Sequence, residues 1–589
     1  MKKKHFFLPL LAALILSGCS NDEPVVSPDN GGTEGEPQYL TVNLITASAS
    51  GTLKSRAAEG QQHGEPNADE DDAAIYEEGL ANENTVNNIR FYFFDKSGAA
   101  ADVKKVGEKW QNWLDWTNIS EEGPQMPNVE KILSAMLVIN TKQGDEQPDK
   151  IVAIINPKEE TGSKYSLGGD ASYDLYTVTD DYRKFDSGNF VMSNSTYKEN
   201  DAKVMAVSVK DKIFSTSGEA LQSPVDIYVE RTVAKVRLKS SLTETSTGSG
   251  IYKTFTDDKP QKITVVTGEG ENPTTIEKNI YVKFLGWNTT AVTDKSRLIK
   301  EINPNWTNES LGFPWNWSEY CRSFWAVNPT GLNYQYGAFR DDDRKGENLF
   351  HAQAKTKFDK TEWVYVNENA SNDSETGADP KTPTKVIIAA QLVDESGNFL
   401  EFAEYGSQRC SVDDLKKLFA NSCGLYKKTS SDPETYKKIE SSDLKIVTAT
   451  ELGMASKTQD GRYKVYIQLA DAVANDATWY PNNTSGQTVT LTAVKANEAL
   501  KDLGSAKVWK DGYTYYYFDI NHLGNKLGVV RNHIYDANIT TLVGLGTPVY
   551  NPDEIIYPEK PDSDKDTYIA ARINILSWRV VNSSVKLEW

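Results

Sequence analysis

Residues 39–46 read YLTVNLIT, with Leu40, Val42 and Leu44 alternating with Thr41 and Asn43. An apolar residue at every second position is the period of a strand with one buried face, because successive side chains of an extended chain point to opposite sides. Before it, residues 21–38 (NDEPVVSPDNGGTEGEPQ) are rich in acids, Pro and Gly and read as a flexible tether. After it, residues 51–74 (GTLKSRAAEGQQHGEPNADEDDAA) are too acidic and glycine-bearing to bury, with Arg56 close to their start. The strand is thus joined to the rest by a segment that a protease can reach.

Further along, the strand signal dominates. Ile89, Phe91 and Phe93 alternate before a turn at Lys96-Ser97-Gly98, MLVIN (136–140) and IVAIINP (151–157) are short apolar runs, and Val225, Ile227 and Val229 alternate. Ala234, Val236 and Leu238 repeat the pattern in the shifted frame. One helix is predicted in SVDDLKKLFANSCG, capped by Ser411 and followed by Gly424. The class is mainly β, with few short helices and two sandwich-like domains, residues 57–236 and 237–550. Residues 551–567 (NPDEIIYPEKPDSDKDT) read as an acidic, Pro-rich linker that could span about 55 Å when extended at roughly 3.3–3.6 Å per residue.

Composition narrows the function. The chain has 589 residues, 38% of them apolar and 10% aromatic, enough for a large core. Its net charge of -19 argues against nucleic acid and anionic membranes as partners, since both reward clustered Lys and Arg. The one basic cluster, Lys2, Lys3 and Lys4, precedes an apolar run from Phe6 to Leu16 that is too short to cross a bilayer and reads as a secretion signal, residues 1–18. It ends Leu16-Ser17-Gly18-Cys19, which resembles the lipobox of bacterial lipoproteins and implies acylation of Cys19. Ser20-Asn21-Asp22-Glu23 is similar to the acidic segment of Bacteroidetes lipoproteins sent to the outer face of the outer membrane. Cys321, Cys410 and Cys423 remain, an odd number. Cys410 and Cys423 are either bridged or buried as small apolar thiols.

The far end mirrors the first strand. Ile569, Ala571, Ile573 and Ile575 sit at period two, and after a break at Ser577 so do Val585, Leu587 and Trp589. These strands either complete the chain's own sandwich or, on so long a linker, reach another copy. If a cut after Arg56 released the first strand, its sheet would keep an unpaired edge and an apolar groove. The closing strand of another copy could fill that groove by β-augmentation, the mode of donor-strand complementation in pilins.

The segment VVRNHIYDANITTLVGLGTPV (529–549) resembles the C-terminal motif of the fimbrillin family of Bacteroidales, the subunits of donor-strand-exchange (type V) pili. The branch most similar is the minor-fimbrium major structural subunit of Porphyromonas. In order, the Cys19 lipobox, Ser55-Arg56-Ala57, NNIRFYFFD, IVAIINP, FVMSN, VERTVAKVRL, GYTYYYFDI and ARINILSWRVV all fit that resemblance. It implies transthyretin-like sandwich domains and a lipoprotein precursor, palmitate-bearing at Cys19, carried to the cell outer membrane. Residues 19–56 would be removed by an arginine-specific protease that cuts between Arg56 and Ala57, and residues 568–589 would act as donor strand. The partners implied are other copies of the chain and the anchor and tip subunits of a fimbrium that serves adhesion and biofilm formation. The chain departs from the family in its long acidic stretch after Arg56 and in the Trp-rich insert 303–329.

Enzyme signatures are missing from the sequence. The five histidines, His5, His63, His351, His522 and His533, show no metal-ligand spacing, and neither a phosphate-binding glycine pattern nor a G-x-S-x-G elbow occurs. His533 reads as a structural hydrogen-bonding residue. Asp562, Asp564 and Asp566 mimic the start of a calcium loop, but Thr567 and Ile573 occupy its Gly and Glu positions. No cofactor is expected. Trp306, Trp315, Trp317 and Trp325 leave two readings, rings for stacking on sugars in a surface glycan-binding lipoprotein, or a small core under a long loop. An anchor or tip subunit of the same fimbrium is a further alternative.

Overall fold

Alternating apolar side chains become strands wherever two or more can share a core, and here they build two successive β domains. A computed structural model describes residues 34–47, 80, 83, 85–117, 129–157, 166–167, 190–247, 250–253, 261–267, 274–317, 321–339, 358–359, 361–454, 461–474, 478–559 and 568–577. Among the described residues the N-terminal domain holds an eight-stranded sheet and two small hairpins, Lys104–Val106 with Lys109–Gln111 and Tyr197–Glu199 with Ala202–Val204. The spatial order of the sheet is Trp113–Trp116, Ile89–Phe94, Lys150–Ile155, Met192–Asn194, Val225–Arg231, Gln38–Ala47 and Val129–Ile139, with Val207–Ser208 paired on Lys150–Ile155. Phe91, Phe93, Ile151, Ala153, Ile227 and Val229 are buried in its core together with Leu40, Val42 and Leu44.

A single residue, Thr232, separates Val225–Arg231 from Val233–Ser240, the first strand of the C-terminal domain. There a four-stranded sheet, in the order Trp363–Asn367, Val233–Ser240, His533–Val543 and Tyr568–Ser577, faces a ten-stranded one. Ala234, Val236 and Leu238 meet Val386, Ile388 and Ala390 between the sheets. The intervening Ile387 and Ala389 point to the outer face of the ten-stranded sheet, where Tyr513, Tyr515, Val549 and Ile556 cover them. This strand, Lys385–Val393, is therefore buried on both faces, and its continuous apolar run follows.

Between Gln408–Cys410 and Lys507–Trp509 the chain adds a module with its own core, a unit that the two-domain expectation does not contain. The helix read from SVDDLKKLFANSCG is present as Val412–Ser422, with the Ser411 hydroxyl accepting from the Asp414 N–H and Leu415, Phe419 and Ala420 turned inward. Cys410 and Cys423 are both free and buried in this core, so the thiol reading holds over the bridge.

The Trp-rich insert also packs inward. Trp306, Trp315 and Trp325 are each no more than 2% exposed, Trp306 and Trp315 meet edge to face at 5.6 Å, and the Trp315 indole donates to the Trp306 carbonyl. The Trp317 side chain lies outside the described residues.

The acidic linker is shorter than its composition suggests. Residues 551–559 do not extend into solvent but lie strapped across the outer face of the ten-stranded sheet. Ile556 is buried, its N–H donates to the Gly337 carbonyl, and Arg462 stacks over the Tyr557 ring at 4.2 Å. The Glu559 carboxylate accepts from the N–H groups of Gly461 and Tyr463 at 2.6 and 3.0 Å, an anchor made of backbone amides. Replacing Glu559 with Ala leaves these amides without their acceptor and should free the strap. Hydrogen exchange of residues 551–559 should then accelerate while the core strands stay protected, and unchanged protection of 551–559 would contradict this anchoring.

Candidate subunit joint: the opening-strand slot and the closing strand

The opening strand, Gln38–Ala47, sits inside its sheet rather than at an edge. It pairs in parallel with Val225–Arg231, from Val42 opposite Val225 to Thr46 opposite Val229, and antiparallel with Val129–Ile139, from Gln38 opposite Ile139 to Ala47 opposite Val129. Leu40, Val42 and Leu44 are no more than 1% exposed, which corresponds to a gross stabilisation of about 5–9 kcal/mol for three such side chains. On the other face Asn43 donates to Asp226 and accepts from the Ser134 hydroxyl. Just before the strand, the Gly35 N–H donates to the Thr141 carbonyl, and Tyr39 exchanges two backbone bonds with Phe214.

Removing this segment would do more than expose an edge. Val129–Ile139 has no other strand partner among the described residues, so the sheet would be left with a slot walled by backbone donors and acceptors on both sides. The slot needs a strand to fill it.

Downstream of residues 48–79 the chain is fastened at Glu83. Its buried carboxylate pairs with Lys235 at 2.8 Å, accepts from the Leu80 N–H and from the Tyr365 hydroxyl, and its carbonyl accepts from the Arg231 guanidinium. Burial alone would raise the Glu83 carboxyl, but the Lys235 charge and these hydrogen bonds together hold it below the ordinary value. The described body thus begins again on a firm anchor, independent of the opening strand.

The closing strand, Tyr568–Ser577, lies at the edge of the four-stranded sheet and pairs antiparallel with His533–Val543 of its own chain. The register runs from Val543 opposite Tyr568 to His533 opposite Ser577, with a bulge between Ile539 and Thr541. Ile569, Ala571, Ile573 and Ile575 belong to this ladder, opposite Leu542, Ile539, Ala537 and Tyr535. Val585, Leu587 and Trp589, like Cys19, Arg56 and Ala57, lie outside the described residues.

The motif that carries the ladder is built around two histidines that sequence spacing does not connect. His522 and His533 are fully buried with ring centroids 5.1 Å apart. The His522 Nε2 donates to the Phe324 carbonyl, and its Nδ1 accepts from the Tyr535 hydroxyl, which itself accepts from the Val530 N–H. His533 Nδ1 donates to the Arg531 carbonyl. Both rings are neutral. Burial pushes His522 down to about 3, and burial with the nearby Arg322 and His522 holds His533 well below its ordinary value. Gly546 ends the motif at φ 75°, where an added Cβ would strike the Thr514 hydroxyl, so the tight exit into Thr547–Pro548 requires glycine. Among the described residues no group of three or more His, Cys, Asp and Glu is placed to hold a metal ion.

Two stability predictions follow from these groups. Glu83→Gln leaves Lys235 buried without its counter-charge and should cost about 3–5 kcal/mol, read from the urea midpoint, and a neutral outcome would contradict the anchor. The two histidines gain protons on unfolding below their ordinary pKa of about 6.5. Stability should therefore fall by about 1.4 kcal/mol per pH unit for each ring as the pH drops through that value, and equal urea midpoints at about pH 7 and pH 5 would contradict neutral burial.

With this geometry in hand, comparison with known proteins is informative at the C-terminal end. Residues 507–583 match the family described as "Major fimbrial subunit protein type IV, Fimbrillin, C-terminal". No curated protein matches the chain. Among solved structures, a fimbrilin from Porphyromonas gingivalis W83 aligns at 13% identity and a TM-score of 0.34, covering 92% of this chain and 98% of its own. The tip fimbrial protein Mfa3 from Porphyromonas gingivalis, with C-terminal truncation, aligns at 11% identity and a TM-score of 0.28, covering 92% and 100%. A fimbrial assembly protein from Parabacteroides distasonis ATCC 8503 aligns at 10% identity and a TM-score of 0.28, covering 60% and 80%. At these scores the structural likenesses decide nothing about this chain. The family match spans the strand Tyr513–Asp519, the motif strand His533–Val543, the strap and the closing strand, so it is this C-terminal segment of the chain that resembles the fimbrillin C-terminal region.

Proposed function

We propose that the chain is a structural subunit of a cell-surface fimbria, exported as a lipoprotein anchored at Cys19 in the outer membrane and cut after Arg56 by an arginine-specific protease. The cut frees the opening strand, and the closing strand of one copy then occupies the slot of the next by donor-strand exchange. The role is structural rather than catalytic and supports adhesion and biofilm formation. Its partners are further copies of itself and the anchor and tip subunits of the same fimbria.

The observation that carries this reading is the placement of the two ends relative to Thr232. Gln38 lies at the end of the slot remote from Thr232, because the ladder with Val225–Arg231 begins at Val42 and runs toward it. Tyr568, the first residue of the closing strand, lies beside Val543, at the end of its ladder remote from Thr232 in the other domain. A tail that leaves its own ladder therefore departs from the far end of the C-terminal domain. It enters a neighbour's slot from the far end of that N-terminal domain, in the same N-to-C sense as the strand it replaces. Subunits joined this way line up head to tail.

The two ends also differ in how firmly they are held. Among the described residues the opening strand has a strand partner on each side, whereas the closing strand has one and can leave an intact sheet behind. In the uncut chain the slot is filled, so the precursor is self-complemented and cannot accept a tail. The burial of Trp306, Trp315 and Trp325 withdraws support from the glycan-stacking alternative, since their faces are not available to a sugar.

Deleting residues 568–589 tests the reading. The truncated chain should fold, be cut and remain monomeric on gel filtration, while the full chain forms ladders of oligomers. Oligomers of the truncated chain that persist in strong detergent would refute the proposal.

A further inference from the structure

We propose that the segment Val225–Ser240 carries tension across each subunit of the shaft, delivering axial force from the slot to the root of the tail along one unbroken backbone. The inference rests on the subunit reading above and adds to it how force crosses the molecule. Its first half walls the slot, its second half lies in the sheet that bears the tail, and only Thr232 stands between them. No loop or hinge interrupts the line.

Both ladders on this line are loaded in the stronger of the two possible ways. A strand in the slot is pulled from its Gln38 end, while Val225–Arg231 is pulled from its Arg231 end. The two are parallel, so they are drawn past each other lengthwise. In the second ladder Val233–Ser240 is pulled from Val233 and His533–Val543 from Val543. These strands are also parallel, with Lys235 opposite Ile534 and Ser240 opposite Ile539. Under lengthwise shear the hydrogen bonds of a ladder share the force and must yield together, whereas a strand peeled from one end breaks them singly. The unfolding rate under force therefore depends on this direction.

The corner between the two halves is braced. The Thr232 N–H and hydroxyl both donate to the Val191 carbonyl at 3.1 and 3.0 Å, and the Asn532 N–H donates to the Val233 carbonyl at 2.7 Å. The Arg231 guanidinium bridges the Glu83 carbonyl and the Asn532 side chain, and Arg237 faces Asp536 across the second ladder at 3.4 Å, both buried. These contacts prevent the corner from straightening under load. The module between Cys410 and Lys507 meets this line through the strap, where the Glu559 carboxylate accepts from the Gly461 and Tyr463 N–H groups.

Single-molecule pulling on the full uncut chain tests this, because there the opening strand occupies the slot as a donor strand would. Attachment at Glu36 and Asp553 draws force along the proposed line, and attachment at the exposed Glu108 and Thr484 crosses the same two domains away from it. The first geometry should rupture at a severalfold higher force than the second. Asp536→Asn should lower the first force and leave the second unchanged, the second also reporting that the variant is folded. Equal rupture forces in the two geometries, or a first force insensitive to Asp536→Asn, would overturn the proposal. The outcome is read on isolated chains, so failure to find filaments would count against the subunit reading alone.

Discussion

A sheet cannot close over a missing strand, and the N-terminal domain is organised around that constraint. Val225–Arg231 and Val129–Ile139 face each other across a gap one strand wide, and each presents a row of backbone groups that must be paired when buried. Leu40, Val42 and Leu44 fill the apolar side of this gap. What the slot demands is generic, a strand with apolar residues at every second position, since backbone bonds do not depend on side-chain identity. The chain carries a second such pattern at its other end, and this shared demand makes exchange chemically natural.

The proposed exchange also requires that the body survive the loss of its first strand. Glu83 meets that requirement by fastening the chain downstream of residues 48–79 to Lys235 and Tyr365 at the domain junction. The same junction buries further ion pairs, Arg531 with Glu368 and Lys300 with Glu230. Burying charges is expensive, and such pairs often contribute little net stability compared with apolar residues of the same size. Their geometry is directional, however. Arg531 also donates to the carbonyls of Leu298 and Arg297, so it fixes the Ser296–Lys300 stretch against the motif strand, and that stretch in turn reaches the N-terminal domain through the Leu298 carbonyl, which accepts from the Ser193 hydroxyl, and through Lys300, which pairs with Glu230. For the proposed repeating unit, whose two ends would have to line up, a fixed orientation matters more than a few kcal/mol.

Much of this was legible from local pattern, and the rest was not for identifiable reasons. The alternation of Leu40, Val42 and Leu44, the runs around Phe91 and Ile151, and the Ser411 cap were readable because each depends on neighbours within a few residues. The interior position of the opening strand was not, because its partners lie about a hundred and nearly two hundred positions away and pairing leaves no local mark. The same holds for His522 and His533, eleven positions apart yet in ring contact through a turn. The strap was misread as open linker because its acids and prolines dominate the composition, while Ile556, Tyr557 and Glu559 carry its docking. The module after Cys410 was visible only as a helix, since its strands are short and its hairpin Tyr426–Ser431 and Glu434–Lys438 is rich in Lys, Ser and Thr.

The most direct measurement of the account is the structure of assembled filaments at a resolution that distinguishes side chains in the slot between Val129–Ile139 and Val225–Arg231. The account predicts that this slot holds residues from 568–589 of the preceding copy, in the same sense as Gln38–Ala47, and that His533–Val543 has lost its own closing strand. Filaments in which Leu40, Val42 and Leu44 still occupy the slot, with each closing strand paired inside its own body, would contradict it.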